Sequence, residues 1–387
     1  MTTTTATTTT TTRRSGRRGN HEGSITQLAD GRWQARVTLE GGQRKAFYGK
    51  TRQEVQQKLT AALRDRDRGL PTICEKQTLG QYAAHWLDVK RNEIKASTWT
   101  RYEALLRVHV LPALGKLALE KITPQHLQRL YLGRIASGTS PSTVRRAHAL
   151  LHHVFSDAMR LGLVGRNVSE LVDPPRAPWH EMAFLTREQA RALLSAATGH
   201  RLEALIVVAL STGMRQGELL GLRWRDVDLD ARKVVVQQTV KYVSGHGYLF
   251  TEPKTKESRR SVRLSTLAVE ALRRHRAQQL KDRLGVGPAW EDLDLVFPSK
   301  LGTPLDGGHV LRRVLHPLLR QAGLPIIRFH DLRHTAATLA LAQGRNIKEV
   351  SEMLGHADVS TTLALYVHVS PDMQGQLADA MDAALRC

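Results

Sequence analysis

The chain has 387 residues, with 57 Lys and Arg against 36 Asp and Glu, for a formal charge of +21 at neutral pH. That length suits two or three domains of about 150 residues, and the positive excess selects a polyanionic partner, nucleic acid before a membrane surface. The longest apolar runs, such as Leu202 to Leu210, are too short to span a bilayer, and two distant cysteines, Cys74 and Cys387, exclude a disulfide framework or a zinc ribbon, so a reducing cytoplasm is the expected setting.

Residues 1–22 are threonine-rich and polar, carry Arg13, Arg14, Arg17 and Arg18, and lack the apolar segment of a secretory signal. They are predicted to be a disordered basic tail, because so little apolar surface cannot offset the entropy of ordering. From Gly23 the texture changes to "GSITQLA", "RWQARVTLE" and "QRKAFYG", separated by Asp30-Gly31 and Gly41-Gly42. Such turns between β-rich runs predict a three-stranded antiparallel sheet. Thr51 to Glu54 has capping-box spacing, and Val55, Leu59 and Leu63 recur on one helical face, so a helix follows. The sheet carries Arg32, Trp33, Arg36, Arg44 and Lys45. These suit a DNA groove, although a sheet that is merely soluble has the same look.

Thr78 to Val172 is predicted to be helical throughout. Tyr82, Trp86 and Leu87, then Tyr102, Leu105 and Leu106, keep helical spacing, and Thr123-Pro124 and Ser140-Pro141 mark helix starts. After Ser140, Val144, Leu151, Val154, Phe155 and Ala158 share one face while Arg145 and Arg146 take another. A four- or five-helix bundle follows. Three prolines between Asp173 and Glu181 mark a boundary. Beyond it, Thr186 caps a helix, "RLEALIVVALS" is a buried one, a β-rich patch spans Val234 to Leu264, and the remainder is helical. The third unit is thus mostly α with a small inserted sheet.

Several residues in this unit can carry chemistry. Thr212-Gly213 is a break, and Arg215 is expected in the first turn of the next helix, where a cation opposes the helix dipole. A phosphate would compensate it; so would Glu218, three positions on. "TEPKTKESRRSVRL" predicts a hairpin with Lys254 and Lys256 at or near its tip, whose long stems can reach a minor groove or a leaving oxygen. His330 and Arg333 project from one helical face, and His334 follows His330 by four, but a metal is discounted for want of a carboxylate and because Arg333 would repel a cation. Gly355 is expected to end a helix in the left-handed conformation, ahead of His356. Tyr366, amid Leu363 and Leu365, is either a core tyrosine or a nucleophile. Two arginines that clamp a phosphodiester supply the charge stabilisation a metal would otherwise give, and the whole set points to phosphoryl transfer on nucleic acid without metal.

In this order the residues resemble the tyrosine site-specific recombinases, the phage integrase family. "TGMRQGELLGLRW" is similar to the first arginine box, "PKTKESRRSVRL" to the lysine hairpin, "HDLRHT" to the His-x-x-Arg box, and "LGHADVSTTLALYVHV" to the box carrying histidine and tyrosine. The resemblance implies that Arg215 and Arg333 bind the scissile phosphate and that Lys254, with Lys256 as rival, protonates the departing 5′-hydroxyl. It further implies that His330 assists proton transfer, His356 bonds the phosphate and Tyr366 forms a 3′-phosphotyrosyl link, with no metal or nucleotide cofactor. The partners implied are double-stranded DNA at core and arm sites, three further copies in a homotetramer, and DNA-bending accessory proteins. On this reading residues 23–70 are an arm-type DNA-binding domain touching DNA through Arg32, Arg36, Arg44 and Lys45. Residues 76–173 are a helical core-binding domain using Arg145 and Arg146, and 180–387 a mixed α+β catalytic domain whose C-terminal stripe of Met373, Leu377, Met381 and Leu385 docks in cis or on a neighbour. A type IB topoisomerase and a non-catalytic DNA-binding factor are the rival readings.

Overall fold

The computed structural model describes residues 23–38, 44–67, 77–178, 182–252, 259–355, 381–382 and 385–386. The chain divides into two compact units, Met1–Pro178 and Trp179–Cys387.

The first unit begins with the predicted antiparallel sheet, β1 (Ser24–Gln27), β2 (Trp33–Thr38) and β3 (Arg44–Gly49), in sequential order. The Asp30 carboxylate accepts the Arg32 N–H at 3.0 Å and closes the first turn; the second turn, at Gly41-Gly42, lies outside the described residues. Ala35 and Val37 bury one face of β2 against Val55 and Leu59 of α1 (Arg52–Asp67). Thr51 caps α1 by accepting the Glu54 N–H at 3.2 Å, while the Glu54 carboxylate reaches back to the N–H of Lys50, so the second half of the predicted box is displaced by one residue.

Helices fill residues 79–171 as expected. They are α2 (Leu79–Lys90), α3 (Ala96–Leu105), a π-helical turn (Leu106–Val110) running into α4 (Leu111–Leu114), α5 (Pro124–Ala136) and α6 (Pro141–Arg160), with short 3-10 turns at Leu119–Lys121 and Val168–Leu171. Both proline starts are real: the Ser140 hydroxyl accepts the Thr143 N–H at 3.3 Å at the head of α6. Leu151, Val154 and Phe155 of α6 are fully buried among Tyr82, Leu106 and Leu127, and each such side chain contributes roughly 1.5–3 kcal/mol. The indole N–H of Trp86 is satisfied by Asp157 at 2.8 Å.

The second unit opens with α7 (Arg187–Ala197), whose Thr186–Gln189 capping box is complete. α8 (Glu203–Thr212) is apolar on every side and buried from Ala204 to Leu210, which makes it the axle of the unit: α7, α10 (Thr266–Val286) and α13 (Phe329–Ala342) pack around it. The short α9 (Gln216–Leu220) follows. Among the described residues two small antiparallel sheets stand where one was expected. β4 (Val227–Asp228), β5 (Lys233–Val235) and β8 (Ser261–Arg263) form one; β6 (Thr239–Val243) and β7 (Gly247–Thr251) form a separate ribbon. The strands flanking the lysine segment therefore do not pair with each other. The glycine-bearing turn at 244–246 closes β7 onto β6 over five residue pairs, and β8 finds β5 instead. α11 (Gly307–Val310), a π-helical turn (Leu311–Leu315), α12 (His316–Gln321), α13 and α14 (Ile347–Leu354) complete it. Among the described residues no helix is long and apolar enough to cross a membrane.

Candidate active site

α8 stops at Gly213, whose φ of 62° is the left-handed conformation that glycine adopts without steric penalty. Room is absent as well as handedness: a Cβ here would collide with Leu354 Cδ2 of α14. The predicted left-handed cap at Gly355, with φ of 68°, ends α14. The turn between α8 and α9 is thereby held against the end of α14.

Arg215 stands at the cap position before α9 with extended backbone, one residue earlier than the predicted first turn. The expected conflict with the helix dipole is answered within the chain. Its Nη1 donates to Glu218 at 2.8 Å, the Glu218 carboxylate accepts the Arg215 backbone N–H at 2.9 Å, and its Nη2 donates to the Gly355 carbonyl at 3.1 Å. A helix C-terminus carries partial negative charge, so both contacts favour the cation. The local pairing with Glu218 and an arrangement suited to phosphate coexist, since the Arg215 side chain keeps 38% of its surface open.

Glu218 is 1% exposed. Burial by itself would raise its carboxyl, but Arg260 and Arg215 outweigh that and hold it below the usual carboxylate range. Arg260 was not anticipated. Its Nη2 donates to Glu218 at 3.0 Å and its Nε donates to the Met353 carbonyl at 2.7 Å, with the side chain 7% exposed. Strand alternation was the available signal: Arg260, Val262 and Leu264 turn inward while Arg259, Ser261 and Arg263 are exposed.

Arg333 lies on α13 and is 3% exposed. Its Nη1 donates to the Gly213 carbonyl at 2.8 Å, and among the described residues its Nη2 has no hydrogen-bond partner. Burial first, then the neighbouring Arg215 and Arg260, push its guanidinium down to about 9, which leaves it protonated at neutral pH. A desolvated cation with one unmatched donor is costly unless an anion meets it.

His330 stands one turn before Arg333, and its ring meets that of His334 edge-on at a centroid distance of 4.8 Å. Crowding of the ring by protein, then His334 and Arg333, lowers it to about 4. The residue also keeps an exposed side. At neutral pH the ring is uncharged and able to take a proton. No group of three or more His, Cys, Asp or Glu suited to a metal occurs among the described residues.

Arg215, Arg333 and His330 are thus gathered in one region. Lys254, Lys256, His356 and Tyr366 lie outside the described residues, as do Met373 and Leu377; Met381 and Leu385 are exposed. On the amino-terminal sheet, Arg36 and Arg44 occupy the face away from Ala35 and Val37, and both are exposed. Arg32 is exposed and pairs with Asp30. By register Lys45 is on the opposite face from Arg36, opposite Val37, with its amine over the Phe47 ring at 5.6 Å, so it does not share their surface. Arg145 and Arg146 are exposed on α6.

Residues 183–373 match the phage integrase family, and residues 78–133 match the phage integrase N-terminal SAM-like domain. The chain is 32% identical to a XerC-like tyrosine recombinase of Caldanaerobacter subterraneus, over 88% of this chain and 91% of that one. Its fold is similar to a Tn1549 transposon integrase in complex with circular-intermediate DNA, with a TM-score of 0.68 at 23% identity over 79% of this chain and 99% of that one. It is also similar to lambda integrase, solved as a tetramer bound to a Holliday junction, with a TM-score of 0.54 at 18% identity over 89% and 96% of the two chains. The mostly helical architecture with its amino-terminal three-stranded sheet is the integrase fold. The chain belongs to the phage integrase family of tyrosine recombinases. It is a DNA strand-transfer enzyme, a site-specific recombinase.

Proposed function

We propose that this recombinase exchanges DNA strands through a covalent 3′-phosphotyrosyl intermediate, to integrate or excise a mobile element. The Tyr366 oxygen attacks the scissile phosphorus, the bond from phosphorus to the 5′-oxygen breaks, and Lys254 delivers a proton to that oxygen. Arg215 and Arg333 bind the non-bridging oxygens and His356 donates a further hydrogen bond. His330, neutral at pH 7, takes up the tyrosine proton directly or through water. A 5′-hydroxyl from a second strand reverses the attack, and because the ester energy is conserved no nucleotide is consumed. The reaction needs no metal, since two fixed guanidiniums supply the positive charge.

The observation that carries this reading is the pair of arginines anchored on one backbone turn, Arg333 on the Gly213 carbonyl and Arg215 two residues further on, with Arg333 Nη2 unmatched among the described residues. A phosphate oxygen supplies the missing acceptor. The DNA-bound and tetrameric assemblies of the similar integrases support double-stranded DNA as substrate and a tetramer as the working form. On the same reading residues 23–70 bind arm DNA, with Arg36 and Arg44 on the exposed face, residues 76–173 bind core DNA, and residues 180–387 hold the chemistry.

The test is a nicked duplex built on the attachment core that flanks the gene. Wild-type protein is expected to become linked to the cut 3′ end, and Tyr366→Phe to bind the duplex without forming the adduct. Equal behaviour of the two proteins would overturn the reading.

A further inference from the structure

The machinery just proposed leaves Arg260 unassigned, yet its contacts join three parts of it. Arg260 follows the segment of residues 253–258 that carries Lys254. It grips the carboxylate that holds Arg215 and the last turn of the helix that leads to His356. The α14 C-terminus accepts from two guanidiniums, Arg260 at Met353 and Arg215 at Gly355. One carboxylate, Glu218, divides its two oxygens between the same pair, Oε1 to Arg215 and Oε2 to Arg260.

We propose that Arg260 is a positioning residue for strand cleavage, acting on the phosphate through Glu218 and Arg215. The inference rests on the phosphotyrosyl reading above. With Arg260 bound, Glu218 is tethered from both sides and its Oε1 is fixed toward Arg215. Without it, Oε2 keeps the Arg215 backbone N–H but loses its guanidinium, and the buried carboxylate turns to offer both oxygens to the Arg215 side chain, drawing that guanidinium off the phosphate. Lysine restores the charge but has a single nitrogen, which cannot reach the Glu218 oxygen and the Met353 carbonyl with the planar fork of arginine.

The full-length protein, Arg260→Gln and Arg260→Lys are compared on the nicked core duplex in single turnover. The same three are then tested on a duplex whose scissile linkage is a methylphosphonate, in which a methyl group replaces one charged oxygen. Core-DNA affinity and thermal unfolding are recorded alongside. Arg260→Gln is expected to bind core DNA within about threefold of wild type and to cleave on the order of 10- to 100-fold more slowly, the loss expected when a catalytic group is misplaced. Arg260→Lys is expected to recover only part of that rate. On the methylphosphonate, where less charge needs neutralising, the deficit should shrink by about tenfold. A deficit of equal size on both linkages, tracking a loss of folded protein, would show a merely structural role and overturn the proposal; so would full activity of Arg260→Gln. Failure of wild type itself to form a tyrosine adduct breaks the underlying reading, and that outcome is separate from a normal wild type beside an unimpaired variant.

Discussion

In the helices of residues 79–171 the described buried side chains are almost all apolar, and the two buried polar ones, Asn167 and Ser169, satisfy each other at 2.6 Å. In the second unit Glu218, Asp331 and Arg333 are as buried as the leucines beside them, and Arg215, Arg260 and Arg333 crowd together around one carboxylate. The first arrangement is what stability alone selects. The second sets like charges close together in a poorly hydrated place, which lowers stability unless a polyanion arrives. Where burial and charge conflict, function is the reason the conflict persists.

The contrast can be broken at either end. Phe155→Ala, in the helical core, should cost about 3–5 kcal/mol in urea unfolding of the full chain. The protein that remains folded should still cleave a nicked substrate in single turnover; a rate that fell with no loss of stability would contradict the division of labour. Arg333→Met, similar in bulk but uncharged, should slow cleavage by at least about 100-fold, or about 2.7 kcal/mol of barrier, while the unfolding midpoint does not fall, because a repelled buried cation has been removed. A large drop in that midpoint would make Arg333 a structural residue first.

A smaller effect concerns pH. Burial and neighbouring cations hold His330 below its ordinary value, at about 4, and burial lowers His334 as well. The unfolded chain takes up these protons first, near pH 6.5, so the stability due to neutral imidazole is fully present above that pH and is lost as pH falls toward 4. Thermal melts should therefore shift to lower temperature between pH 7 and pH 5, with a shallower slope in His330→Asn. An identical slope in the variant would place the titrating groups elsewhere.

Much of this was legible in the residues themselves. Local chemistry fixed what local chemistry can: the starts at Ser140-Pro141 and Thr186, the left-handed end at Gly355, the three amino-terminal strands and the inward face of α6. The Arg215–Glu218 pair was visible at its three-residue spacing. Strand pairing in the second unit was not, because strands of three to five residues choose partners by tertiary packing; β8 joined β5 across the whole β6–β7 ribbon. Arg260 hid for a related reason. Among the five basic residues from Lys254 to Arg263 composition looks uniform, and only the alternation of the strand separates exposed Arg259 from its buried neighbour. Lys45 shows the converse, a basic residue whose register takes it off the surface its neighbours share.

The tight corner at Gly213 has a consequence for motion. Its carbonyl carries one guanidinium, and the backbone two residues later carries the other. Vibration of the surrounding helices then displaces the pair as a unit, as two instruments bolted to one plate stay aligned on a shaking bench.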